Sequence, residues 1–244
     1  MANWSDPRTI GVSPTADLGA RTAAFDAGLR SYMLSVYNYM ASGVMLTGIV
    51  ALLFASSGAA QAIMFGPGLM KWVIILSPLA FILVMNFGLN RLSTFGLQAC
   101  FWGFAAVMGL SMSTIFLVYT GASIAQTFFA TAAAFAGLSL WGYTTKKDLS
   151  GFGTFLIMGL VGLLVASVIN IFLQSGTMNL VISFIGVLLF AGLTAYDTQR
   201  IKSMYAYVAG SDMVGKTVIM GALSLYLDFI NMFQFLLSFM GQRD

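Results

Sequence analysis

The sequence predicts an all-α integral membrane protein with seven membrane-spanning helices, and three observations carry that prediction. The chain of 244 residues is 59% hydrophobic and only 8% charged, with mean hydropathy +0.91, whereas soluble domains are about 25% charged. Apolar runs recur at about the length of 20 residues that an α-helix needs to cross the hydrocarbon core. The breaks between them are short and hold Gly, Pro, Ser and Asn, the residues that punctuate regular structure.

Residues 1–30 carry three Arg, three Asp and two Pro. They read as a short, poorly ordered polar tail, separate from a membrane domain over 31–244. The tail is too long and too mixed in charge for the leading region of a signal peptide, and the apolar run after it, about 25 residues, exceeds the 7–15 of a signal core. That run is the first span. The spans fall at roughly 31–55, 72–90, 94–119, 122–145, 151–174, 179–201 and 216–240. Between them lie SSGAAQAIMFGPGLMK, NRLS, YTGAS, TKKDLS, QSGTMN and SMYAYVAGSDMVGK. No linker divides the chain into two domains, and no internal repeat suggests an inverted-repeat transporter. In the fourth span, Ala130 and Ala134, Ala132 and Ala136, and Ala133 and Gly137 place small residues four apart. Such pairs let helix backbones approach closely, and internal bundle packing is the expected use.

Lys and Arg set the orientation, because cytoplasmic loops hold the excess of positive charge. Seven spans place Arg8, Arg21, Arg30, Arg91, Lys146, Lys147, Arg200, Lys202 and Lys216 on one side, and Lys71 and Arg243 on the other. The expected topology has the N-terminus in the cytoplasm and the C-terminus outside; a re-entrant last span would return the C-terminus.

The composition also excludes chemistry. There is no His and no Glu, and Cys100 is the one cysteine. The usual zinc sites and Ser-His or Cys-His catalysis have no residues to use. No Gly-rich phosphate loop is present, and a net charge of +3 without a basic stripe gives no reason to expect a nucleic-acid partner.

Six of the eight aspartates lie in the tail, in breaks or at the end; Asp197 and Asp228 lie within apolar spans. A charged Asp at a helix centre costs about 2.5–3.5 kcal/mol even on the lenient insertion scale, so it faces the bundle interior or water and marks an ion path, a proton relay or a partner charge. Asp197 stands three residues before Arg200, and Asp228 about 18 Å along its helix from Lys216. The two spans are consecutive and therefore antiparallel, which lets the carboxylates meet. Two like charges in a low dielectric cannot both ionise easily, so a close pair shares one proton. Two carboxylates are also hard oxygen ligands suited to Ca²⁺. Protons and Ca²⁺ would compete for the same atoms.

Ser224, Asp228 and Asn231 share one helix face by their spacing, while Tyr226 points elsewhere. Asn170, Asn86 and Asn90 add polar groups at intramembrane or boundary depth. Structural roles stand beside these: Asp197 with Arg200 forms a boundary ion pair, and Arg91 is a boundary charge reaching for the interface.

AYDTQRIK at 195–202 and ALSLYLDFINMF at 222–233, with KKDLS at 146–150 and NRLS at 90–93, resemble the Bax inhibitor family, also called the transmembrane Bax inhibitor motif family. The resemblance covers all seven spans, and GLRSYMLSVYNYM is similar to the bacterial branch. It implies a seventh helix at the centre of the other six, and a pH-sensitive Ca²⁺ leak. It assigns Asp197 and Asp228 as the paired intramembrane acids and Arg91 as the latch that holds them in a closed form. The expected location is the bacterial inner membrane, and the expected partners are lipid, Ca²⁺ and protons.

The leading expectation is thus a proton-gated Ca²⁺ leak channel, not an enzyme, with Arg200, Ser224 and Asn231 supporting the aspartates. The runner-up is a non-transporting regulator of membrane-protein quality control that binds a membrane-anchored protease. An intramembrane aspartyl protease is the third reading. It shares the YD of Tyr196–Asp197, but no GxGD accompanies the second acid.

Overall fold

The computed structural model describes residues 14–242, so Arg8, Arg243 and the first thirteen residues of the tail lie outside the described residues. Nine helices occur among the described residues: α1 Pro14–Ser56, α2 Ala59–Met64, α3 Met70–Gly88, α4 Thr94–Met112, α5 Ile115–Val118, α6 Gly121–Thr144, α7 Ser150–Leu173, α8 Gly176–Val208 and α9 Met213–Met240. With α4 and α5 taken as one interrupted span, seven are long and apolar enough to cross a membrane.

Two spans run further than hydropathy indicated. The part of the tail from Pro14 onward is not irregular but the beginning of α1. Pro suits the first helical turn because its missing N–H has no partner there anyway, and Ala, Leu and Arg then favour helix. Likewise α8 continues to Val208 and, at 33 residues, is about 50 Å long against a core of about 30 Å. Both overhangs leave the bundle at the same end, where Tyr205 packs between Phe25 and Tyr32 with ring centroids 5.1 and 5.2 Å away. Aromatic contact replaces the apolar pattern as the reason these turns stay helical.

The last span is central. Within its apolar stretch 61% of α9 is buried, against 11% for α3 and for α7. The surrounding six form two tiers. α1, α4, α6 and α8 pack directly on α9, while α3 lies mainly on α4 and α7 on α8. α9 is one unbroken helix of 28 residues, about 42 Å long, which is long and apolar enough to cross a membrane in one pass. At its start Lys216 Nζ donates to Leu89 O at 3.0 Å. At its far end Thr120 N–H donates to Gln242 O at 3.1 Å, and Gln242 N–H to Ser123 Oγ at 2.9 Å.

The small residues of α6 are used differently from the expectation. Ala130, Ala133, Ala134, Ala136 and Gly137 are exposed, so they do not make the close helix contact; the buried stripe is Ser123, Thr127, Thr131, Phe135, Ser139 and Gly142. Hydroxyl side chains serve here because they are small and bond within the helix, as Thr131 Oγ1 does to Thr127 O at 2.8 Å. Gly142 lies directly on the backbone of Ala195, where a Cβ would collide.

Candidate ion site in the α8–α9 seam

Antiparallel contacts fix the register of α8 on α9. At one end Ser238 Oγ accepts from Asn179 Nδ2 at 3.2 Å and from Ser183 Oγ at 3.1 Å. Next, the Phe235 ring covers Gly186 and stacks on Phe190 with centroids 5.8 Å apart. Towards the other end Ile201 covers Gly221. Asp197 and Asp228 fall between these levels, Asp197 one turn before Ile201 and Asp228 two turns after Gly221.

Asp228 is 4% exposed, and its Oδ2 has no hydrogen-bond partner among the described residues. Its charged neighbour is Asp197, which is half-buried and feels the opposite charge of Arg200 one turn away. The two acids that hydropathy singled out lie on α8 and α9, which pack against each other. Arg200 is exposed and lies beside Asp197 along the helix. Arg91 is exposed in the α3–α4 turn, and among the described residues no basic group is within salt-bridge distance of either aspartate. Asn231 donates Nδ2 to Leu227 O of its own helix at 2.8 Å, and Ser224 is half-buried one turn before Asp228. No cluster of three or more His, Cys, Asp or Glu occurs among the described residues. Two carboxylates offer at most four oxygens against the six to eight that Ca²⁺ takes. The donor set suits a passing, partly hydrated ion rather than a resident one.

Hydroxyl contacts that spacing did not reveal frame this seam. Thr198 Oγ1 donates to Thr194 O at 2.7 Å, and Ser139 Oγ lies 2.9 Å from Thr198 Oγ1 and 2.6 Å from Tyr37 Oη. A hydroxyl has one proton. With Thr198 committed to its carbonyl, Ser139 donates to Thr198 and Tyr37 to Ser139. The chain runs from α1 through α6 into α8, next to Asp197. On the other face of α9, Tyr226 is fully buried. Thr47 Oγ1 donates to Ala105 O at 2.8 Å, so Tyr226 Oη donates to Thr47 at 2.6 Å.

The polar strings around the seam also make local contacts. Gln199 accepts from Leu149 N–H at 2.9 Å and donates to Lys147 O at 2.7 Å, holding the α6–α7 turn against α8. Lys202 Nζ donates to Tyr143 O at 2.8 Å and sits 4.7 Å above the Tyr143 ring.

The family model described as "Inhibitor of apoptosis-promoting Bax1" matches residues 29–244. The chain belongs to the Bax inhibitor family. Among relatives, an uncharacterized protein of Rickettsia prowazekii is 45% identical over 96% of this chain and 99% of its own. An uncharacterized protein of Caulobacter vibrioides is 46% identical over 88% of this chain and 90% of its own. The inner membrane protein YbhL of Escherichia coli K12 is 44% identical over 89% of this chain and 94% of its own. The match begins within α1, and the Bax inhibitor family region contains both aspartates, most of the first span and the other six spans whole.

Proposed function

We propose that this Bax inhibitor family protein is a pH-sensitive Ca²⁺ leak channel of the bacterial inner membrane. The observation that carries the proposal is Asp228, buried in the central helix with one carboxylate oxygen unpartnered and with a second acid, Asp197, as its charged neighbour. A buried, unsatisfied acid is costly, and such acids inside a membrane domain commonly lie on ion or proton paths.

In the charged state the pair attracts a divalent cation, and one proton in the shared site removes that attraction. Arg91, on the turn held by Lys216, supplies the latch when the turn moves towards the seam. Arg200 stands one turn from Asp197 on α8, and Ser224 and Asn231 lend oxygens on the Asp228 face. The basic end, with Arg30, Arg91, Lys146, Lys147, Arg200, Lys202 and Lys216, faces the cytoplasm by the positive-inside rule, which puts the end of α9 outside. The inner membrane is supported by the printed name of the YbhL relative.

The test is Ca²⁺ flux into liposomes at several pH values, with wild type beside Asp197→Asn and Asp228→Asn. A pH-dependent flux that both substitutions alter supports the channel. Absence of flux above empty liposomes, with both variants folded, overturns it and leaves the acids as structural or partner-facing groups, as in a regulator that binds a membrane-anchored protease.

A further inference from the structure

α1 and α6 both pack on α9 but scarcely touch each other. Between them opens a groove of about 960 Å³, lined on α1 by the face that includes Arg30, Leu34, Ala41 and Met45, on α6 by Ala132, Ala136 and Leu140, with Phe229 of α9 as its floor. A second cavity of about 350 Å³ shares Val44, Phe128 and Phe229 and extends the groove towards α5. The Tyr37–Ser139 hydrogen bond is the polar tie across the gap.

We infer that this groove holds one acyl chain of an anionic phospholipid, its phosphate at Arg30. Its walls are almost wholly apolar and lie at membrane depth, where lipid is the solvent. From Arg30 to Met45 the α1 face is about 22 Å long, one leaflet's hydrocarbon depth plus a headgroup, given a core of about 30 Å. Arg30 is exposed at the basic end of the groove, and its charge complements a phosphate. Ala132 and Ala136, set on the open side of α6, leave the width an acyl chain needs. The groove also differs from ordinary lipid contact on the outer helices, because its floor belongs to the central helix next to Asp228.

The full-length protein in phosphatidylcholine vesicles doped with phosphatidylglycerol carrying a mid-chain diazirine tests this directly. Photolysis and peptide mapping are expected to place label on Phe135 of the α6 wall and Phe229 of the floor, both buried within the groove. Arg30→Gln is expected to lower that labelling about fivefold, the effect of one basic group near an anionic surface, while labelled phosphatidylcholine marks the floor less in wild type. Label confined to the outward faces of α3 and α7 overturns the site. A photoreactive residue placed at Leu34 or Leu140 that cross-links two copies through α1 and α6 overturns it in favour of a second copy. Floor labelling equal for the two lipids and unchanged in Arg30→Gln overturns the anionic headgroup.

Discussion

Asp228 of the central helix has Asp197 of α8 as its charged neighbour, and no basic side chain lies within salt-bridge distance of either among the described residues. A fold built only for stability would not keep this arrangement, because the buried carboxylate Oδ2 is unpartnered. Asp228→Asn removes the charge while keeping the shape. Removing the like charge beside Asp197 is expected to raise stability modestly, while flattening the pH response of ion flux. Thermal unfolding in detergent beside the liposome assay checks both halves. A variant less stable than wild type would mean that the carboxylate is a structural group.

Tyr226 and Thr47 join the central helix to α1 through hydroxyls 2.6 Å apart, and Thr47 is already committed to Ala105 O. Thr47→Val leaves the buried Tyr226 hydroxyl without an acceptor and is expected to cost about 1–3 kcal/mol. Tyr226→Phe removes the donor instead. The double variant is expected to lose less than the sum of the two, with a coupling of about 1 kcal/mol, readable from chemical or thermal unfolding.

Gln199 holds the α6–α7 turn with two hydrogen bonds. Gln199→Ala is expected to free that turn while the membrane bundle stays folded. Two lost bonds at about 1 kcal/mol each correspond to roughly a 30-fold greater open population, and trypsin cleavage at Lys146 and Lys147 follows that population when reclosing is fast. Limited proteolysis with access to the basic end reads the change.

The Asp148 carboxyl is held below the usual carboxylate range by the hydroxyl and the backbone N–H of Ser150, the N–H at 2.9 Å. A depressed folded value makes the contribution to the start of α7 present above the ordinary value of about 3.9 and lost as pH falls through the folded value. Hydrogen exchange in the first turn of α7 is expected to show no such loss of protection between pH 7 and about 4, then to show it below. Asp148→Asn is expected to remove that acid-induced change. An unchanged acid response in the variant would transfer the effect to another group.

Much of this protein is legible from its letters. Seven spans, their approximate ends, the clustering of basic residues and the two intramembrane acids follow from hydropathy and charge, because water, lipid and an unpaired carboxylate impose strong local costs. Antiparallel succession also indicated in advance that the helices carrying Asp197 and Asp228 pack on each other, since short connections make neighbouring spans pack. Hydropathy did not reveal the overhanging turns of α1 and α8, which contain charges and are held by Phe25, Tyr32 and Tyr205.

Only the tertiary structure decided which face of each helix meets protein and which meets lipid. Lipid tails are as apolar as leucine, so an apolar residue carries no mark of its side. That is why the alanines of α6 lie on the open face while its Ser and Thr stripe is buried, why Tyr226 finds Thr47, and why a groove stands between α1 and α6. Each depends on partners far away in sequence, brought together by helix packing that a local pattern does not encode.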